Sequence, residues 1–326
     1  MRLTVMISAA LAIVLSQTCL AKAPTSAGIS GDIGLSALYL QSRSQFNTEE
    51  STTEDLTSSG KQNDKLAVYP LGNINYTFSD KRNQLYFGTS RADVALGNFH
   101  LELGLRHWTA TNTEYSIGFI PGVLKNETWS DPYLVQQPRT KTDTNTWAVR
   151  FQAKNIQTLP LSLEVAAGKL RIDSEQSGHS NIRPLDTSVL DRNAQLYYGK
   201  LTYSHVFGRQ LIALTSVDYL RNDADGSAMA FHQFGVEGSL ILNQRSSSLI
   251  TTLGYDRANH DALNPIFHQK QNDDTLRLFF AYEYRNPFNW ESWSIVSLLG
   301  YQDTKSNIRF YDKDSLLISL GMNYRY

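Results

Sequence analysis

Charged side chains recur at alternate positions in several short segments whose intervening residues are apolar. The clearest of these charged residues are Glu102, Arg106, Arg150, Glu164, Arg277 and Glu283. Because successive side chains of a β-strand point to opposite faces, the charged residues of each segment share one face and the apolar residues the other. Charges of both signs along one face can select polar solutes through a transverse field. They can also pair with one another and brace a wall, and the pattern is compatible with both interpretations.

Three other patterns resemble parts of catalytic or metal sites. His179-Ser180 and His260-Asp261 place reactive groups side by side, but adjacent residues of an extended chain point apart, which disfavours a hydrogen-bonded nucleophile and base. The segment Asp223–Asp225 resembles half of a calcium loop, yet Arg221 stands where the first ligand is needed. The sequence therefore predicts no catalytic residue, no metal site and no cofactor, and we expect the protein not to be an enzyme.

The elements that must position the charges are amphipathic strands, and the clearest is the segment Leu316–Tyr326. One face carries Leu316, Ile318, Leu320, Met322, Tyr324 and Tyr326, and the other, which is mostly polar or small, carries Leu317, Ser319, Gly321, Asn323 and Arg325. About 9–11 residues suffice for a tilted strand to cross a hydrocarbon core. The segment resembles the C-terminal signal of bacterial outer-membrane β-barrels, so we expect the barrel-assembly machinery to be a partner.

The N-terminal segment has the features of a secretory signal peptide. Arg2 precedes an apolar run over Leu3–Leu15, small and polar residues follow over Ser16–Ala23, and we predict cleavage after Ala21. The chain is therefore divided into a signal peptide, 1–21, and one domain, 22–326. The single cysteine, Cys19, lies within the signal peptide, so the mature chain has no disulfide. The formal net charge of −1 disfavours nucleic acid as a partner.

Aromatic content and connection lengths predict the fold class. The chain has 17 Tyr, 14 Phe and 5 Trp, and its apolar residues alternate, which is typical of a membrane β-barrel. Short turns alternate with longer connections such as Ala258–Asp273 and Asp303–Asp314. We predict an all-β, transmembrane, up-and-down antiparallel barrel of about 14 strands. The count becomes about 12 if Ala95–Asn98 is not a short outer loop.

Six segments of the chain resemble a known protein family. They are Pro70–Phe78, Phe87–Arg91, Glu127–Leu134, Asn222–Phe231, Ala281–Arg285 and Ser306–Asp312. Together they are similar to an exported β-barrel family of Gram-negative bacteria that is known as a domain of unknown function. The resemblance implies an outer-membrane barrel and supplies neither a substrate nor catalytic residues.

These observations lead to one expected function and two alternatives. We expect a monomeric, porin-like channel for small polar solutes in the outer membrane of a Gram-negative bacterium, with its long loops extracellular and its wall in contact with lipid and lipopolysaccharide. The Ser/Thr-rich loop Ser44–Lys65 is the candidate for a mobile gate. The first alternative is a structural or adhesive barrel plugged by its loops. The second is an outer-membrane lipid hydrolase.

Overall fold

A computed structural model describes residues 23–89, 101–122, 126–180 and 184–326 of the chain. Within those ranges, no helix has both the length and the apolar character needed to cross a membrane. The predicted signal peptide, 1–21, and the predicted short loop Ala95–Asn98 lie outside the described residues.

Strands make up almost all of the regular secondary structure in the described chain. The strands are β1 (Gly28–Arg43), β2 (Gln62–Thr77), β3 (Asn83–Gly88), β4 (Glu102–Trp108), β5 (Glu114–Ile120), β6 (Asn126–Trp129), β7 (Lys141–Lys154), β8 (Leu161–Ile172), β9 (Ala194–Phe207), β10 (Leu211–Ala224), β11 (Phe231–Asn243), β12 (Ser247–Asn264), β13 (Gln269–Arg285), β14 (Trp293–Ser306) and β15 (Lys313–Arg325). Short 3₁₀ helices span Ile156–Thr158, Pro184–Leu190, Pro287–Asn289 and Arg309–Tyr311.

The strands form one closed antiparallel barrel. Strands that are neighbours in sequence pair with each other, except that β5 pairs with β7 instead of β6, and the first strand, β1, pairs with the last, β15. The short strand β6 pairs only with the end of β7, beyond β5, so among the described residues fourteen of the strands make up the wall. The predicted count of fourteen and the predicted up-and-down topology are confirmed.

Side-chain alternation fixes which face of each strand turns outward. On β1, Ile33 and Leu35 are exposed on the outer wall at 61% and 59%, whereas Ser36 and Leu38 point inward and are buried. On β12, Leu253 and Tyr255 are likewise outside. A soluble barrel would bury its apolar face, so an apolar outer wall around a largely polar interior is the arrangement of a membrane-spanning barrel.

Connections are sorted between the two ends of the barrel. One end, here called the turn end, carries the turns 78–82, 109–113, 155–160, 208–210, 244–246 and 286–292. The other, the loop end, carries the loops 44–61, 121–140, 173–193, 225–230, 265–268 and 307–312. Both described ends of the chain lie at the turn end, because β1 starts there and β15 finishes there.

The predicted long connection Ala258–Asp273 is wrong in length. Strands β12 and β13 continue to Asn264 and from Gln269, leaving a tight turn at 265–268. A shift in register between Asn259 and Leu263 interrupts the alternation there, and the polar residues of a strand beyond the membrane give no apolar period. The connection predicted over Asp303–Asp314 likewise shortens to 307–312.

Candidate functional site: the barrel interior

All six charged residues identified from the sequence lie on inward-facing positions of the wall. Glu102 and Arg106 are on β4, Arg150 on β7, Glu164 on β8, and Arg277 and Glu283 on β13. Their strand neighbours, such as Leu103 and Leu105 on β4, are exposed on the outer wall. The alternation therefore brings charges of both signs into one interior.

Three of the six form a single buried ion-pair network. The Arg150 guanidinium contacts the Glu102 carboxylate through NH2, and its Nε donates to Glu102 Oε1 at 3.3 Å. Its NH1 lies 3.8 Å from Glu164 Oε1. The Tyr86 hydroxyl donates to Glu102 Oε1 at 2.7 Å. All three charged side chains are 2–5% exposed, so the guanidinium neutralises carboxylates that have lost contact with bulk water.

Arg277 belongs to a second network on the neighbouring part of the wall. Its Nε lies 2.9 Å from Asp256 Oδ2, and its NH1 lies 3.9 Å from Glu237 Oε2. Lys200 Nζ donates to Glu237 Oε1 at 2.8 Å. The strand register places Lys200 opposite both Glu164 and Asp218, which joins the two networks around the wall. The joined set is called the charged belt, and it consists of Glu102, Arg150, Glu164, Lys200, Asp218, Glu237, Asp256 and Arg277.

Inward-facing glycines give the belt side chains room to lie flat against the wall. A Cβ atom on Gly118 would overlap the carboxylate of Glu102, and one on Gly235 would overlap the carboxylates of both Asp218 and Asp256. Only glycine leaves this space, because every other residue carries the Cβ. The sequence of the strands is therefore matched to the position of the charges.

Arg106 and Glu283 lie in separate surroundings. Arg106 NH1 donates to Gln84 Oε1 at 3.0 Å, and its guanidinium lies 4.0 Å from the centre of the Tyr86 ring. Glu283 is near the turn end, with Arg285 NH1 at 3.6 Å and Arg325 NH2 at 4.0 Å from its carboxylate oxygens. Each of the six charged residues thus has a contact on the wall, as expected if these side chains brace the barrel. That they line a pathway stays a prediction.

Six loops meet over the loop-end mouth in one apolar cluster, called the plug. Its residues are Phe46 and Leu56, Tyr133, Val189 and Leu190, Ala228 and Met229, Ile266 and Phe267, and Ile308, Phe310 and Tyr311. Phe310 is fully buried at the centre, and its ring lies 5.4 Å from that of Tyr133, 5.4 Å from that of Phe267 and 5.8 Å from that of Phe46. The cluster therefore joins side chains from six of the described connections, which rise from strands around the wall.

Arg139 fastens the 44–61 loop to the plug. The side chain is 6% exposed, its NH1 donates to Gln45 O at 2.8 Å, and its NH2 donates to Glu50 O at 2.9 Å. Its guanidinium stacks 4.4 Å from the centre of the Trp129 ring, and Trp129 Nε1 donates to Asn47 O at 3.1 Å. In this structure these contacts hold the 44–61 loop against the plug, and Gln62–Lys65 belong to β2. That the loop moves as a gate stays a prediction.

Burial also shifts the ionisation of groups in the plug. It raises the pKa of Tyr133 to about 12, and it lowers the pKa of Arg139 to about 10, which leaves the guanidinium charged at neutral pH. The Tyr133 and Tyr311 hydroxyls lie 2.6 Å apart, and Asn264 Nδ2 donates to the Tyr311 hydroxyl at 2.8 Å. The plug thus favours neutral phenols.

This preference predicts that the plug loosens in alkali. Tyr133 has a raised pKa in the folded plug, so its contribution is complete below pH about 10, the pKa of an exposed tyrosine, and is lost as the pH rises to about 12. Near-UV circular dichroism should show a change over this interval, smaller in Tyr133→Phe. The control Tyr203→Phe, on the outer wall, should follow the wild type. Identical curves for wild type and Tyr133→Phe would contradict this assignment.

The residues considered for other chemistry are not brought together. His179 and Ser180 are both exposed on a loop, where the Ser180 amide donates to Asp131 Oδ2. His260 points inward to the carbonyl of Ala228, whereas Asp261 pairs with Arg221 at 2.7 Å. Among the described side chains, no group of three or more His, Cys, Asp or Glu residues could hold a metal ion.

Sequence reasoning missed the plug and Arg139. Aromatic residues in otherwise polar loops, such as Tyr133, Phe267 and Phe310, were the available signal. Loops have no periodic pattern, however, and nothing in the sequence states that loops far apart in the chain meet.

Comparison with known proteins bears on the family and the fold. A family model described as "Protein of unknown function (DUF2860)" matches residues 28–325. No curated protein matches the chain. Three similar solved structures are OmpT of Vibrio cholerae lacking loop L8, OpdQ of Pseudomonas aeruginosa and the outer membrane channel DcaP of Acinetobacter baumannii.

The three structures are similar over almost their whole length. The OmpT variant is 9% identical, with 92% of this chain and 100% of that chain covered and a TM-score of 0.43. OpdQ is 11% identical, with coverage of 91% and 98% and a TM-score of 0.43. DcaP is 10% identical, with coverage of 92% and 98% and a TM-score of 0.40.

Proposed function

We propose that this chain, which belongs to the DUF2860 family of proteins of unknown function, is a monomeric outer-membrane channel for small polar solutes that its plug holds shut. The loop end faces the outside of the cell, and the apolar outer wall contacts lipid and lipopolysaccharide. The wall and the predicted signal peptide support the location. The plug is the observation that supports a closed channel.

Size and charge support a pathway behind the plug. Eight strands leave an interior filled by side chains, and sixteen to eighteen leave an aqueous channel, so fourteen lie between. The charged belt supplies polar groups of both signs along the interior, which suits small polar solutes without selecting one sign of charge.

Single-channel conductance in a planar bilayer tests the proposal. Wild-type protein should stay closed for most of the recording. Phe310→Ala removes the ring at the centre of the plug, a change that costs about 3–5 kcal/mol in a packed core, and should raise the open probability at least tenfold. Phe288→Ala is the matched control, because Phe288 is 75% exposed in a turn at the opposite end of the barrel.

A loop-plugged structural barrel is the second candidate, and the same plug favours it. In that case Phe310→Ala would give no conductance steps, although a heat-shifted gel band showed it to be folded. Steps from Phe310→Ala that Phe288→Ala does not share would exclude a purely structural role.

A further inference from the structure

Charged side chains on the outer wall lie near the loop end, beyond the outward aromatic residues of the same strands. Four of the cations there have acidic partners. The ion pairs are Arg43 with Asp314 at 2.5 Å, Arg221 with Asp223 and Asp261 at 2.7 Å each, Arg257 with Asp274 at 3.7 Å and Lys305 with Asp303 at 3.2 Å. Pairing cancels much of the field that these groups would present to a molecule beside the wall.

Lys169 and Arg171 on β8 are outward cations of a different kind. Unbroken alternation with Val165, which is 42% exposed on the outer wall, places both side chains outward. Within the described part of the chain neither forms an ion pair. The next acidic residues along β7 and β8, Asp143 and Asp173, stand beyond Arg171 toward the loops, where each has an interaction of its own. Two adjacent outward cations thus lack a carboxylate partner.

The residues beside these cations add a polar donor and an aromatic neighbour. The strand register places Lys169 between Trp147 on β7 and Gln195 on β9. Trp147 is exposed on the outer wall, and the Tyr197 hydroxyl donates to Gln195 Oε1 at 2.9 Å. That hydrogen bond occupies the amide oxygen, so the amide nitrogen of Gln195 remains as a donor for another acceptor. Lys169, Arg171 and Gln195 are together called the basic patch.

The height of the basic patch on the wall indicates what lies against it. On the turn-end side of the patch the outer wall is apolar, with Val149, Val165 and Leu201 exposed. Trp147 and Tyr197 lie between this apolar surface and the patch, and such rings favour the boundary between hydrocarbon and lipid head groups. An anion held by the patch can therefore belong to a molecule whose hydrocarbon chains cover the wall.

We propose that the basic patch binds a phosphate of lipopolysaccharide in the outer leaflet. The Arg171 guanidinium offers paired donors that match two phosphate oxygens, and the Lys169 ammonium adds a second positive charge. Lipopolysaccharide fits because its phosphates are attached to the same sugars that carry its acyl chains, which then lie against the apolar wall. The inference rests on the proposed function, since it assigns to named residues the lipopolysaccharide contact of the proposed outer-membrane barrel.

Binding of lipid A to the refolded barrel in a non-ionic detergent tests the assignment. The probes are lipid A with two phosphates, the same lipid A with both phosphates removed, and phosphatidylglycerol, whose phosphodiester has one negative charge. Wild-type protein should bind phosphorylated lipid A at least tenfold more tightly than the dephosphorylated form, and more tightly than phosphatidylglycerol. Lys169→Gln combined with Arg171→Gln should reduce the affinity for phosphorylated lipid A to that for the dephosphorylated form.

Arg257→Gln combined with Lys305→Gln is the matched control, because both cations are outward at the same end and already have carboxylate partners. They lie four and six strands from β8, beyond the roughly 8–10 Å over which exposed charges interact in salt. This variant should bind as the wild type does, and the heat-shifted gel band should show that both double variants are folded.

Three outcomes would overturn the assignment. They are equal loss of affinity in the two double variants, equal affinity of the wild type for both forms of lipid A, and phosphatidylglycerol binding as tight as that of phosphorylated lipid A. Binding needs no open channel, so conductance by Phe310→Ala without a preference for phosphate removes this inference alone. A preference for phosphate without conductance removes the channel and keeps the basic patch.

Discussion

Replacing Arg139 by alanine will release the 44–61 loop from the plug while the barrel wall stays intact. The guanidinium donates to four backbone carbonyls, those of Gln45, Glu50, Ser51 and Pro132. Hydrogen bonds to a charged group contribute about 1.5–3 kcal/mol each, and their sum is less than additive. A loss of about 3 kcal/mol would increase the local opening of the loop roughly a hundredfold.

Limited proteolysis of the folded barrel measures that opening. A glutamate-specific protease can cut at Glu49, Glu50 and Glu54 once the loop leaves the plug. Cleavage should be about a hundredfold faster in Arg139→Ala than in wild type. Arg139→Lys keeps the charge without the planar fork of donors and should be intermediate.

Arg309→Ala is the control, because Arg309 is exposed on another loop of the same end. Equal cleavage rates in Arg309→Ala and Arg139→Ala would show that Arg139 does not fasten the loop. The contacts of Arg139 also matter for the proposed channel, because the loop that Arg139 holds contributes Phe46 and Leu56 to the plug.

Loss of Arg150 should destabilise the whole barrel rather than one loop. Alanine at this position leaves the carboxylates of Glu102 and Glu164 buried without the guanidinium between them. Breaking a buried ion pair from one side costs about 3–5 kcal/mol, because the remaining charge cannot recover its hydration. The midpoint of unfolding in urea, followed by the heat-shifted gel band, should fall accordingly.

A second change tests the cause of that loss. Adding Glu102→Gln to Arg150→Ala removes one of the two buried carboxylates that have lost the guanidinium, so the double variant should recover part of the stability. Arg209→Ala, exposed in a turn, should stay within about 0.5 kcal/mol of wild type. If adding Glu102→Gln lowers the stability of Arg150→Ala instead of raising it, charge pairing is not what Arg150 provides.

The wall of the barrel could be predicted from the sequence because lipid imposes one rule on every strand. Outward residues must be apolar, so residues such as Leu103 and Leu253 give a period of two that is visible without a structure. The same rule placed Glu102 and Arg277 inside. The rule could not predict which charged residues pair with one another. Glu102 and Arg150, for example, meet only through the register of β4, β5 and β7.

The barrel interior also has a buried apolar cluster on the inward face of β10–β14, here called the apolar belt: Ile212, Leu214, Ile241, Ile250, Phe279, Ala281 and Leu298. The sequence pattern did not predict this cluster. At the start of β10 both faces are apolar, so Ile212 and Leu214 look like their outward neighbours. A pattern of two cannot separate faces that carry the same kind of residue. Only closure of the wall shows that Ile212 and Phe279 belong to one interior.

The seam between β1 and β15 sets the order in which this molecule can fold. Its register runs from Asp32 opposite Arg325 to Arg43 opposite Asp314, so each of these contacts joins residues from the two extremes of the sequence. Pairings this distant in the chain make folding slow, because the loss of chain freedom comes before any contact compensates for it. Hairpins such as β12–β13 can form locally, but the edges of the sheet stay unpaired until the seam closes. Those edges are where misassembly and aggregation would begin.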